Sequence, residues 1–206
     1  MTAPTKIVCV GRNYVEHARE MGNDVPKQPL LFLKPPSSII REGQPIVLHP
    51  VSDHIEFEGE IAVVMGSRLS KATSEAEARA AIGGIVALND VTARDLQKND
   101  GQWARAKGMD TFCPLGEPGA VPDDLESIEL ITRVNGEVAQ RARGSDMVFK
   151  IPFLLQYISQ YLTLEAGDLV ATGTPAGTKR INAGDVVEVE LVGISRVSNP
   201  VVAGAA

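Results

Sequence analysis

The residues with the clearest chemical potential are carboxylates. Glu56, Glu58 and Glu60 alternate along Glu56-Phe57-Glu58-Gly59-Glu60-Ile61-Ala62-Val63-Val64-Met65-Gly66. Successive side chains of a strand point to opposite faces, so the three acids share one face. Like charges in such a row repel. A hard divalent cation that prefers oxygen ligands removes the repulsion. An isolated E-x-E also suits a solvated strand face. A fourth acid, Asp90, follows the apolar run Ile85-Val86-Ala87-Leu88 and Asn89. Polar residues at the end of a buried strand stand on a rigid scaffold. Asp90 either joins the other acids or caps the next helical turn.

Three further stretches carry polar groups of interest. Lys107 lies in Gln102-Trp103-Ala104-Arg105-Ala106-Lys107-Gly108, and composition alone favours a surface position for it. Thr172-Gly173-Thr174-Pro175 ends a strand in a turn whose open N–H groups can bind a carboxylate or simply form a tight turn. It lacks the Lys-Ser/Thr of a phosphate loop. His17 precedes Glu20 by three residues, so both lie on one helical face. Glu20 can orient the imidazole for base catalysis, or the two can form a surface pair. His49 and His54 flank a proline-containing stretch and fit no zinc-ligand spacing.

These residues must be positioned by strands more than by helices. Apolar, β-branched runs at Ile7–Val10, Leu30–Leu33, Glu60–Met65, Ile85–Leu88, Ile128–Val134, Leu169–Thr172 and Val186–Val192 read as strands. Asn135-Gly136 between Ile128–Val134 and Glu137–Gln140 signals a hairpin. Helices are expected at Tyr14–Met21, with Gly22 as C-cap, and at Ser74–Ile82, with Ser74 and Glu77 in a capping box. A third is expected at Phe149–Leu162, with Pro152 in its first turn. Glu117–Asp124 reads as a surface loop. Strands and helices do not alternate regularly, which points to an α+β, β-dominated mixed roll.

The 206 residues suit one domain, 1–206. With 44% hydrophobic and 22% charged residues the chain can bury a core. A net charge of −6 argues against a nucleic-acid or anionic-membrane partner, which requires a basic face. Two cysteines, Cys9 and Cys113, make no disulfide framework and no C-x-x-C pair. No apolar run has the length of a signal core or a membrane span, so a cytoplasmic location is expected.

Taken together and in order, E-G-E-I-A-V-V-M-G, N-D-V-T-A-R-D-L-Q, Q-W-A-R-A-K-G-M-D-T-F-C-P and T-G-T-P resemble the fumarylacetoacetate hydrolase family. G-R-N-Y-V-E-H-A-R-E and L-F-L-K-P-P-S-S fit it as well, so the resemblance runs from Lys6 to about Val192. It implies the family's mixed β-roll in its short single-domain form, and a homodimer. It implies Mg²⁺ or Mn²⁺ on Glu58, Glu60 and Asp90. It places Arg94, Gln97 and Lys107 around a small 2-keto acid, and Gly173 and Thr174 on the substrate carboxylate. His17 and Glu20 match a water-activating dyad carried on a mobile lid. Some acylpyruvate-cleaving relatives have His-His before the E-x-E, where this chain has Glu56-Phe57.

Three carboxylates leave about three positions on an octahedral Mg²⁺. A 2-keto acid can fill two of them, and the ion can stabilise an enolate as it forms. Hydrolysis of a 2,4-diketo acid, decarboxylation and keto–enol tautomerisation all share that enolate. The leading expectation is a C–C hydrolase of acylpyruvate or fumarylpyruvate type. The alternative is a decarboxylase or isomerase of oxaloacetate or of a tricarboxylate from aromatic catabolism. A non-catalytic ligand-binding domain is the third reading.

Overall fold

A computed structural model describes residues 3–20, 22 and 24–205. Among them the chain runs β1 (Ile7–Gly11), α1 (Val15–Glu20), β2 (Leu30–Lys34), β3 (Ile39–Ile40), β4 (Ile46–Leu48), β5 (Ile55–Glu56), β6 (Gly59–Met65), α2 (Glu75–Ala80) and β7 (Ile82–Asn89). It continues with β8 (Thr92–Ala93), α3 (Arg94–Asn99), α4 (Ala104–Lys107), β9 (Cys113–Pro114), β10 (Glu129–Val134), β11 (Glu137–Arg143), α5 (Ile151–Ser159), β12 (Leu169–Ala171), β13 (Val186–Leu191) and β14 (Ser195–Ala203).

Two five-stranded sheets dominate. The first has the order β2-β1-β12-β6-β7, and the second β11-β10-β13-β14-β4. Each contains one parallel pair, β1 with β12 and β14 with β4, among antiparallel neighbours. The expected β-dominated mixed architecture is therefore present. Side chains from both sheets share one core, with Ile61, Val63, Ile85 and Ala87 of the first against Leu130, Val189, Leu191 and Val197 of the second. The opposite face of the first sheet is also covered, with Cys9, Ala62, Val86 and Leu88 packing on Cys113 and Leu115. Burial on both faces explains why β6 and β7 read as continuous apolar runs. Each fully buried aliphatic side chain in that core contributes roughly 1.5–3 kcal/mol.

Local signals mostly act as expected, with instructive shifts. Asn135 and Gly136 take φ +53° and +83°, the left-handed pair that a two-residue hairpin needs. Gly22 caps α1 with φ +68° and its N–H on Arg19 O, while the expected end at Met21 lies outside the described residues. Ser74 Oγ accepts the Glu77 N–H at 3.2 Å, as a cap should. The Glu77 carboxylate, however, turns to the Thr73 N–H at 2.8 Å, one residue earlier than the capping box requires. α5 is shorter than expected and keeps Pro152 in its first turn. β14 was not expected, because Pro200 interrupts its pattern. Pro200 sits where pairing to β13 ends and pairing to β4 begins, so its missing N–H is tolerated. No described helix is long and apolar enough to cross a membrane.

Candidate active site

Glu58, Glu60 and Asp90 converge. Each is buried, and one ligand oxygen from each lies within 4.8 Å of the others. The backbone enforces this. The Asp90 N–H donates to Glu58 O at 2.8 Å, and Asn89 Oδ1 accepts the Glu58 N–H at 2.9 Å. Gly59 separates the two glutamates because the second sheet passes directly over it. A Cβ there would lie 1.9 Å from Thr132 Oγ1. The three alternating glutamates do not share one continuous strand, since β5 ends at Glu56 and β6 begins at Gly59. All three still line the same cavity. Asp90 does not cap α3, whose N-cap position is Ala93.

Cations surround the acids. Lys107, expected at the surface on composition alone, is 2% exposed. Its Nζ lies 2.7 Å from Glu58 Oε2 and 2.6 Å from Asp90 Oδ2. Arg94 reaches Glu58 Oε1 at 2.6 Å and Glu56 Oε2 at 2.7 Å, and donates to Gln97 Oε1 at 2.9 Å. Lys34, to which sequence reasoning gave no role, approaches Asp90 Oδ1 at 2.7 Å and donates to Lys107 O. Its only signal was a lysine closing the apolar run Leu30–Leu33 before Pro35-Pro36.

The charge is not evenly shared. Burial raises the Glu58 carboxyl, but Lys107 and Arg94 outweigh it and hold the group well below the usual range. Burial lowers the Lys107 ammonium, yet Asp90 and Glu58 reverse this and keep it charged. Glu60 has no such cation. Burial, then Asp90 and Glu58, push its carboxyl well above the ordinary value, and only Lys107 and the Gly173 N–H oppose this. Asp90 Oδ1 accepts no aligned hydrogen bond in spite of its lysine contact. A hard divalent cation fits this site. It would take oxygen ligands from all three residues and supply the charge that Glu60 lacks.

The cavity above the triad has a volume of about 670 Å³. His17 lines it and is 6% exposed, with Nδ1 3.4 Å from Glu20 Oε2. Burial lowers the imidazole pKa, more than Glu58 and Glu20 raise it, so the ring is held neutral. Glu20 also accepts the Gly177 N–H at 3.2 Å, tying α1 to the loop after β12. The Gly173 N–H is not open for a substrate, because it donates to Glu60 Oε2 at 2.7 Å. Thr174 lines the cavity and donates its hydroxyl to Gly59 O at 2.9 Å. Phe32 and Trp103 form an apolar wall, ring centroids 5.2 Å apart, with Lys107 Nζ 5.0 Å from the Phe32 centroid. His54, given no catalytic role, meets Glu56 at 2.9 Å on the rim. Cys9 and Cys113 are unpaired and buried behind the acids, and burial pushes the Cys113 thiol up to about 12.

Comparison with known proteins agrees with this arrangement. Residues 6–202 match the family described as fumarylacetoacetate (FAA) hydrolase C-terminal. The mitochondrial oxaloacetate tautomerase of Caenorhabditis elegans is 46% identical over 190 residues, covering 89% of this chain and 88% of the relative. The mitochondrial oxaloacetate tautomerase of Arabidopsis thaliana is 44% identical over 200 residues, covering 94% and 89%. The crystal structure of a 5-carboxymethyl-2-hydroxymuconate delta-isomerase from Mycobacterium smegmatis has a TM-score of 0.91 at 43% identity, covering 99% of this chain and 81% of that one. The chain belongs to the fumarylacetoacetate hydrolase family.

Proposed function

We propose that this protein is a metal-dependent tautomerase or isomerase of a 2-keto acid, with oxaloacetate the best-supported substrate type. The observation that carries the reading is a charged Lys107 beside two of the three carboxylates, on a cavity that also holds a neutral imidazole. Two relatives named as oxaloacetate tautomerases and one structure named as an isomerase support this over the hydrolase expectation.

Glu58, Glu60 and Asp90 would hold Mg²⁺ or Mn²⁺, which would supply Lewis-acid polarisation of the keto acid. His17, neutral through burial, accepts the proton from the carbon beside the keto group. Lys107 opposes the negative charge that then gathers on oxygen. The oxygen takes a proton from solvent while His17 returns its own to solvent, giving the enol with no net change in protons, and the reverse sequence gives the ketone. Arg94 fixes Glu58 and Gln97. The Gln97 amide NH₂ makes no hydrogen bond among the described residues, so it is available to a substrate oxygen. Phe32 and Trp103 give the cavity an apolar wall that limits water beside Lys107.

A second reading, hydrolysis of a 2,4-diketo acid, is favoured by the His17–Glu20 contact, since such a pair can activate water. The test is one panel with metal-loaded protein. Loss of the oxaloacetate enol is followed by ultraviolet absorbance, beside cleavage of acetylpyruvate and fumarylpyruvate. Tautomerisation faster than either cleavage is the expected result. Faster cleavage would restore the hydrolase reading, and no turnover with metal bound would leave a binding domain. A cytoplasmic, homodimeric, single-domain form is part of the same proposal.

A further inference from the structure

The turn Gly11-Arg12-Asn13 leaves the end of β1 and forms part of the cavity wall. Arg12 holds φ +59°, the left-handed region that side chains other than glycine rarely occupy. Its neighbours keep it there. Asn13 is fully buried, donates to Phe149 O at 3.0 Å and Thr172 O at 2.8 Å, and accepts the Phe149 N–H at 2.8 Å. Gly11 is pressed on the Trp103 ring, which an added Cβ would meet at 3.2 Å. Gly173, whose N–H holds Glu60, abuts the same turn, since a Cβ there would lie 2.9 Å from Asn13 Cβ and 3.1 Å from Val10 O. A strained residue over-determined by its scaffold and facing a cavity is a recognised mark of a binding position. Arg12 is half-buried, lines the cavity and makes no side-chain hydrogen bond or ion pair among the described residues. Arg94 and Lys107, the other strong cations on the cavity floor, are both committed to carboxylates.

The balance of charge says what Arg12 awaits. With all four ionised, as ligation of a cation requires, Glu56, Glu58, Glu60 and Asp90 carry one more charge than Lys34, Arg94 and Lys107 can match. A divalent cation converts that deficit into one surplus positive charge, and Arg12 makes it two. On the exposed rim, Lys98 and Asp95 offset each other. The loaded cavity therefore complements a dianion. We infer that Arg12 is a specificity-determining residue that binds the second, distal carboxylate of a 2-keto dicarboxylate. The inference rests on the proposed keto-acid function and adds the residue that reads the distal carboxylate.

The test compares two ligands of equal chain length on Mg²⁺-loaded protein by titration calorimetry. One is 2-ketoglutarate and the other is 2-ketovalerate, which lacks the distal carboxylate. Wild type should bind 2-ketoglutarate at least about tenfold more tightly. Arg12→Gln should weaken 2-ketoglutarate by roughly 10- to 100-fold, the range of a charge-assisted hydrogen bond, and leave 2-ketovalerate within about twofold. Arg12→Lys should recover part of the loss. Unchanged 2-ketovalerate binding also shows that the variant is folded. Equal binding of the two ligands by wild type, or equal change of both in Arg12→Gln, would overturn the role of Arg12 and leave the keto-acid reading standing. Binding of neither by wild type would overturn both.

Discussion

On the second sheet, Arg133 Nη1 bridges Glu188 at 2.8 Å and Glu190 at 2.7 Å, and Glu188 continues to Arg196 Nε at 2.7 Å. Around the cavity, Lys107, Arg94 and Lys34 reach their carboxylates at 2.6–2.7 Å. The contact lengths are the same. The side chains are 24–56% exposed in the first cluster and 0–9% in the second. Separation therefore cannot rank them. Desolvation can: a surface pair gives up little hydration and returns little, while a buried pair gives up several kcal/mol per ion. The exposed ladder therefore adds little to stability. The buried cluster carries a desolvation cost that, on the proposed function, a bound cation and substrate would offset.

The sharpest way to break the comparison is at Glu60. Glu60→Gln should lower metal-dependent turnover by about 10³-fold or more, since a full ligand is lost. The same change should leave the metal-free fold as stable as wild type or more so, because it removes the one carboxylate without a cation. Calorimetric Mg²⁺ affinity and thermal melting with and without metal test both halves. Unchanged affinity would remove Glu60 from the metal site.

Lys107→Met comes next. It should reduce kcat by about 10²- to 10³-fold, with a much smaller change in metal affinity. In the metal-free protein it leaves Glu58 to Arg94 and Asp90 to Lys34 alone, and should cost up to about 3 kcal/mol. Added Mg²⁺ should restore most of that stability. A near-normal kcat would reduce Lys107 to a structural counter-ion.

His17→Ala separates reactions instead of clusters. Tautomerisation needs a proton acceptor, whereas loss of CO₂ from oxaloacetate does not. Tautomerisation should therefore fall about 10²-fold, and decarboxylation should survive largely intact. Both rates are measured on one metal-loaded sample, by enol absorbance and CO₂ release. Equal loss of both would make His17 a general binding residue.

The same histidine sets a pH dependence. Its folded pKa lies below the ordinary value of about 6.5, chiefly through burial. The unfolded chain thus takes up the proton first. The stability contribution is present above about pH 6.5 and is lost as pH falls through the folded value. The acid limb of kcat/KM should be centred below 6.5, and acid destabilisation between the two values should shrink in His17→Gln. Melting curves and pH–rate profiles of both proteins check this.

How far the sequence was legible follows the same division. The alternating acids alone suit a solvated strand face as well, and it was the family resemblance that singled out Glu58, Glu60, Asp90 and Lys107, which the fold brings together. Lys34 could not be read, because a lysine at the end of an apolar strand usually turns to water. Its burial depends on Asp90, 56 residues away in sequence. The role expected for Gly173 changed for a related reason. Its N–H looked open in a short turn, but β12 lies beside β6 and delivers it to Glu60. In the fold, period and turn chemistry located all five strands of the first sheet and β10, β11 and β13 of the second. β14 was missed, because only pairing on both sides makes room for Pro200 in a nine-residue strand.

The smallest expected effect lies in the surface ladder, and it tests the comparison from the other side. Arg133 sits on β10, directly opposite Glu188 of β13, and answers two glutamates that share one strand face. Its guanidinium remains hydrated, so Arg133→Gln gives up only a screened attraction and keeps the aliphatic stem over the sheet. The loss should stay below about 1 kcal/mol at low salt and fade toward zero near 1 M, where the Debye length is roughly 3 Å. Leaving Glu188 and Glu190 without their shared partner adds mutual repulsion, which salt also screens. Denaturant titrations of wild type and variant at two salt concentrations supply the measurement, and turnover should be unaffected. A salt-independent loss of several kcal/mol would show that hydration does not separate the two clusters, and the case for the cavity charges as functional would lose its physical basis.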